Sequence, residues 1–357
     1  MRTIKQNFYD NFKCIADKCP CTCCSGWQIV IDEATLDKYD TLDGPLADRL
    51  NSSVDWMEGT FMQKNNKDCA FLNKSGLCDL ISEAGEDILC DTCRLYPRHV
   101  EEYEDLREWS LSLSCPEAAR MLTSLKEYMD FNITDDDEDD PLESEFEDFD
   151  FILFSKLQDA RDLIFEIIKK NSIADSVAII LELTKRLQES YDSGDYFTMD
   201  DCLEEFSDDD IVSKIPKINL ADYIRDNTDI LYELERLSDD WDDYLTFIDS
   251  LPASYDADNA SFIESVSQDD HSLILKNILI SLLYTYFLGS IYTGMIYGVT
   301  GMCLFAGLTV DGILAGKSAA LGRSVTLKEY EEVLYRYSRE TEHSDLNINA
   351  LLEYFDL

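Results

Sequence analysis

The sequence predicts a mainly α protein in two unequal parts: a small cysteine-rich, metal-binding α+β region at the N-terminus and a helical bundle after it. Three observations carry this. Ten of the twelve cysteines lie in the first 115 residues, five of them between Cys14 and Cys24. From Phe151 onward, apolar residues recur at i, i+3, i+4 and i+7, as in FILFSKLQDARDLIFEIIKK and SVAIILELTKRLQESY. Between the two, eleven of the sixteen positions from Asp135 to Asp150 are acidic and none is basic. Such a run repels itself and reads as a linker. The expected division is therefore 1–130 as the cysteine-rich domain, 131–150 as an acidic linker and 151–357 as the helical domain.

In chain order, Gln28 to Asp32 reads as a short β-branched strand, and Asp32 stands where a helix N-cap would. The helix it opens would carry Leu36 and Tyr39 toward a core. In CAFLNKSGLCDL, two apolar runs flank Asn73 to Gly76, a hairpin signal that would bring Cys69 and Cys78 together. SEAGEDILCDTC reads as a short helix or turn delivering Cys90 and Cys93. REWSLSLSC places Trp109, Leu111, Leu113 and Cys115 on one face of a strand, and Pro116 follows at the first position of a helix. Helical periodicity returns in ADYIRDNTDILYELERL, WDDYLTFIDSL and LKEYEEVLYRYSRE. The segment from Asn277 to Val310 holds no charged residue and exceeds a membrane-spanning length. Gly289, Gly294, Gly298, Gly301 and Gly307 interrupt it and no basic cluster flanks it, so it reads as a buried helix pair and not as a membrane span.

A formal net charge of −44 argues against nucleic-acid phosphate or anionic lipid as a partner, since both need a cationic surface. In residues 1–120, 13 Lys or Arg stand against 22 Asp or Glu, a balance of −9, which leaves −35 for the other 237 residues. The acidity belongs mostly to the second part.

Dense thiols serve as disulfides, zinc ligands or iron–sulfur ligands. The N-terminal stretch MRTIKQNFYDNFK has no apolar core or cleavage site of a secretory signal. Disulfides are rare in the cytosol, so the thiols are read as reduced and metal-bound in a cytoplasmic protein. The candidate ligands are Cys14, Cys19, Cys23, Cys24, Cys69, Cys78, Cys90, Cys93 and Cys115, more than the four that one centre usually takes. Cys23 and Cys24 are adjacent, and in an extended segment they would face opposite ways. Cys21, between better-spaced thiols, ranks lowest as a ligand. Cys202 and Cys303 stand alone and read as ordinary side chains.

CCSGWQIVID, CAFLNKSGLC, GEDILCDTCRLYPR, SLSCPEAAR and, near the C-terminus, SRETEHSDLN together resemble the flagellin lysine-N-methylase family. They cover the cysteine-rich third closely and the helical part weakly. The CC and RLYPR pieces are also similar to small bacterial proteins described as zinc- or iron-chelating. The resemblance implies a methyltransferase that moves methyl groups from S-adenosylmethionine to lysine side chains of flagellin, with an iron–sulfur cluster, four-iron four-sulfur in kind, as the metal centre and zinc as the alternative. A metal storage or delivery protein without methyl transfer is the competing reading, and a zinc-stapled interaction protein a third. The sequence has no strand followed by a glycine-rich nucleotide-binding turn. It also lacks the C-x3-C-x2-C triplet of radical S-adenosylmethionine enzymes: Cys19 and Cys23 have the first gap, but Gly26 occupies the third place.

Methylating a lysine requires a neutral amine, so the site must lower a pKa normally near 10.4 or hold a base. Tyr96, Tyr103 or a carboxylate would serve as base, and nothing in the spacing singles one out. Arg94, Arg98 and His99 lie beside the Cys90 pair and are candidates for the donor carboxylate; ion pairs with Glu101, Glu102 and Glu104 explain them equally well. His343 reads as a helix-surface residue.

Overall fold

The first strand, β1 (Arg2–Gln6), ends up in the interior of a sheet whose other strands lie about a hundred residues downstream. In this computed structural model, which describes residues 1–135, 149–208, 213–258 and 261–356, the sheet runs in the order β4 (Arg98–Tyr103), β5 (Leu106–Leu111), β1, β6 (Phe131–Asp135). β1 pairs parallel to β5, with Ile4 opposite Glu108, and antiparallel to β6, with Ile4 opposite Ile133. β4 and β5 form a hairpin that brings Arg98 opposite Leu111. A two-stranded pair, β2 (Val54–Asp55) and β3 (Thr60–Phe61), lies elsewhere.

The strand expected across REWSLSLSC closes at Leu111, and its more buried face is the opposite one: Leu106, Glu108 and Ser110. A charged residue can sit there because α6 (Phe151–Lys170) supplies Arg161, whose two terminal nitrogens each donate to Glu108 at 2.6 Å. Burial without that bidentate partner would cost several kcal/mol. Cys115 stands at the N-cap position of α5 (Pro116–Thr123) without a side-chain capping bond, and Pro116 lies in the first turn where its missing N–H is harmless.

Between β1 and β4 the chain makes a separate small core of Ile29, Ile31, Tyr39, Leu50, Val54, Phe61, Phe71, Leu80 and Ile88, with Cys69 and Cys90 among them. Its helices are α1 (Glu33–Asp40), α2 (Pro45–Ser53), α3 (Asp79–Ala84) and α4 (Asp91–Leu95). Asp32 caps α1 through Thr35 N at 2.9 Å and accepts Asp91 N at the start of α4, also at 2.9 Å. Gln28 to Asp32 is not a strand: it contributes an isolated bridge, Val30 to Thr60, and the bonds Ile31 N to Gly59 O and Phe61 N to Ile29 O. The Asn73 turn forms, its side-chain oxygen accepting from Ser75 N and Leu77 N.

The helical part is α6, α7 (Ile173–Ser193), α8 (Tyr196–Phe206), α9 (Leu220–Asn227), α10 (Gln268–Tyr286), α11 (Ile296–Leu321), α12 (Leu327–Glu342) and α13 (Asp345–Phe355), joined by shorter turns of helix. α10 and α11 are long and apolar enough to cross a membrane by length and composition, and in the fold they are a packed pair, α11 wholly buried over its apolar stretch. The glycines do not break α11. A β-carbon at Gly298 would stand 2.8 Å from Leu352 O, and one at Gly301 2.8 Å from the Phe355 β-carbon and 2.9 Å from its ring. They let α13 lie against α11. Only Gly294, with φ of +75°, ends a helical turn in the way expected.

The core runs across the expected boundary. One continuous apolar cluster joins Ile4, Phe8, Leu106, Leu111, Leu113 and Leu122 to the helices. Tyr284 of α10 donates to Ile4 O at 3.0 Å, and Gln6 donates to Ser281 Oγ at 3.0 Å. The sheet is thus a layer of the helical body, and the cysteine-rich lobe is an excursion between its strands. Phe131–Asp135, assigned to the linker, is strand β6, because its alternation pairs with β1; the rest of the acidic run, 136–148, lies outside the described residues.

Candidate functional site: a thiol-lined cleft

A cleft of about 410 Å³ opens between the cysteine-rich lobe and the sheet. Seven of the nine candidate ligands line it, Cys14, Cys19, Cys23, Cys24, Cys78, Cys93 and Cys115, and Cys21 joins them. Cys69 and Cys90 are buried in the lobe's core. All twelve cysteines are free. Cys202 and Cys303 are buried in the helical body, away from the cleft.

Cys23 and Cys24 share the cleft, against the expectation that neighbours would diverge, because they lie in a turn and not in an extended segment. The Cys23 thiol donates to Cys24; with a bond from Thr22, this outweighs burial and holds Cys24 down at about 7, while Cys23 is pushed well up. Cys93 likewise donates to Cys90, so Cys90 is lowered and Cys93 raised. Each pair offers one sulfur inclined to thiolate, the form that binds metal. Cys21 has a different partner: Arg339 of α12 donates from Nη1 to its sulfur and from Nη2 to Thr22 O at 2.8 Å.

The donor chemistry, a wall of soft sulfurs, fits zinc or an iron–sulfur cluster. Among the described residues, no three His, Cys, Asp or Glu side chains are grouped as a ligand set. Among the seven that line the cleft, the fold therefore singles out no ligand set.

Arg94 and Arg98 line the cleft; His99 does not. Neighbouring residues of a strand face opposite ways, so His99 turns from the cleft to Glu101 at 2.8 Å and the Tyr286 ring at 6.3 Å. Arg94 pairs with Asp91, and the Arg98 guanidinium lies 5.2 Å from the Phe12 ring centre.

A second, more polar cleft of about 390 Å³ adjoins the first through Cys21 and Thr22 and is lined by Lys67, Asp239, Arg336, Arg339 and His343. His343 is not a free surface residue. Its ring lies 4.3 Å from Trp27 and 5.7 Å from Tyr96, and burial, assisted by the Arg339 charge, lowers it to about 3. His343, Arg339 and Trp27 carry no signal of their own in the sequence beyond lying inside SRETEHSDLN and CCSGWQIVID. The other candidate base, Tyr103, is 1 % exposed, stacks on Tyr292 and packs at a tilt against Phe154, away from the cleft.

A family profile matches the helical body, where the sequence motifs were sparse. The profile of the FliB lysine N-methylase C-terminal domain matches residues 161–356. Over 123 residues the chain is 28% identical to the flagellar biosynthetic protein FliU of Salmonella muenchen, which covers 31% of this chain and 70% of that one. It is 30% identical over 123 residues to the lysine-N-methylases of Salmonella choleraesuis and Salmonella typhimurium, covering 31% of this chain and 29% of each. The matched stretch thus spans under a third of the two lysine-N-methylases. No solved structure gives a significant match. With more than half of its length matched by that profile, the chain belongs to the FliB lysine N-methylase family.

Proposed function

We propose that the protein is a lysine N-methyltransferase acting on flagellin in the cytoplasm, with S-adenosylmethionine as donor and an iron–sulfur cluster bound by cysteines of the cleft. The observation that carries this reading is the cleft itself: eight thiols line one space, and Arg339 of α12, inside the matched family domain, bonds Cys21 and Thr22 on its lining. The free state of all twelve cysteines agrees with a reducing compartment. Arg94 and Arg98 on the cleft wall offer cationic donors for a carboxylate, and the net charge of −44 draws a lysine-bearing substrate.

The test is anaerobic purification followed by iron, sulfide and zinc analysis, and incubation with flagellin and methyl-labelled S-adenosylmethionine. The expected protein is brown, carries iron and sulfide, and labels flagellin lysines. Replacing Cys24 or Cys93 by Ser is expected to remove most of the iron, and Cys202→Ser to leave it. Colourless protein with stoichiometric zinc would sink the cluster. Metal handed to an acceptor with no label on flagellin would favour storage or delivery.

A further inference from the structure

Three motif pieces that are far apart in sequence meet behind the wall between the two clefts. RLYPR supplies Tyr96, SLSC supplies Ser112 and Ser114, and SRETEH supplies Glu342 and His343. Tyr96 Oη lies 3.0 Å from Ser114 Oγ, Ser114 Oγ 2.5 Å from Ser112 Oγ, and Ser112 Oγ donates to Glu342 Oε2 at 2.6 Å. His343 Nε2 also reaches Ser114 Oγ, at 3.0 Å.

One proton per hydroxyl fixes the direction of these bonds. Ser112 spends its proton on the Glu342 carboxylate, so Ser114 must donate to Ser112. Ser114 then has only lone pairs left, and both Tyr96 and His343 Nε2–H donate to it. Every bond points from the cleft wall toward Glu342.

Glu342 sits at a small cavity between α10, α11 and α12. The titratable groups that face it are His99 of β4, Tyr286 of α10, Cys303 of α11 and Tyr337 of its own helix. Burial pushes its carboxyl up, against the hydroxyls of Ser112, Ser338 and Tyr286. No Lys or Arg pairs with it among the described residues.

We propose that Tyr96, Ser114, Ser112 and Glu342 form a proton line that takes a proton from a substrate ammonium at the cleft wall and delivers it to Glu342. The proposal rests on the lysine-methylase reading. The ammonium N–H breaks as the Tyr96 oxygen takes that proton. Tyr96 passes its own proton to Ser114, Ser114 to Ser112, and Ser112 to Glu342. The O–H formed on Glu342 balances the N–H lost, and every hydroxyl ends as it began. A neutral amine with its lone pair is left facing the cleft. After product leaves, the proton returns through the same hydroxyls to water. His343 is a positioning residue: it fills the second lone pair of Ser114.

The test compares wild type with Glu342→Gln, Tyr96→Phe and Ser114→Ala on a lysine peptide. Each variant is expected to lose about a hundredfold in kcat at neutral pH, the usual scale of general-base assistance. KM for the peptide should stay within about twofold, and the deficit should close as pH rises toward the amine's own pKa near 10.4. Glu342→Gln at wild-type rate, or a deficit unchanged by pH, overturns the line. Infrared difference spectra decide it independently of methyl transfer. Adding the lysine peptide to wild type should raise a protonated-carboxyl band that Glu342→Gln lacks and that a norleucine peptide does not produce; absence of that band overturns the line. A wild type with the band but without methyl transfer would remove the methylase reading and leave the line standing.

Discussion

His343 shows how a side chain's neighbours set its chemistry. A free histidine titrates near 6.5, but this ring, packed on Trp27 and facing Arg339, holds to the neutral form down to about 3. The unfolded chain takes up a proton below 6.5 and the folded one does not. Its contribution to stability is therefore complete above 6.5 and drains away as pH falls toward 3, by at most about 1.4 kcal/mol per pH unit. His343→Gln, which binds no proton in either state, should lose stability less steeply between pH 6.5 and pH 4; denaturant midpoints at several pH values read this directly. An equal slope in both proteins would show that the ring titrates freely. Arg339, one turn earlier, joins the two halves of the site by holding Cys21 and Thr22.

At the scale of elements, α11 is the hub, and its small residues are what allow it to be one. Gly316 lies so close to the Phe247 carbonyl that an added β-carbon would fall within its contact radius. Gly316→Ala is expected to destabilise by about 1–3 kcal/mol, the usual cost of overpacking, although alanine is the better helix former. A thermal or denaturant melt that shows stabilisation would mean that the 246–250 turn moves away freely. The helix also buries Asp311, which is satisfied by Tyr330 at 3.0 Å, by Tyr255 and by His271 at 2.6 Å. A charge in this hub is tolerable because three donors surround it.

For the whole molecule, the continuous core from Ile4 through Leu122 to Phe355 predicts that the expected domains will not separate. A fragment of 151–357 should lack a cooperative unfolding transition and regain one when 1–135 is added; cooperative folding of 151–357 alone would show the sheet to be dispensable. Much was nevertheless legible locally. The cap at Asp32, the first-turn Pro116, the Asn73 turn, the short helix bearing Cys93 and the helices after Phe151 follow from propensity and period, which are properties of a few adjacent residues. The local rules fell short where partners are distant: the burial of Glu108 in β5 depends on Arg161, and the fate of β6 on β1. By itself, the sequence determined the two kinds of architecture and the chemistry of the thiol wall, because residue type and spacing suffice for these. Only the tertiary structure decided which sulfurs share a cleft and that Tyr96, Ser114, Ser112 and Glu342 stand in line. Hydrogen bonds act over about 3 Å, and only the packed sheet and α12 bring Ser112 and Glu342, 230 positions apart, within that reach.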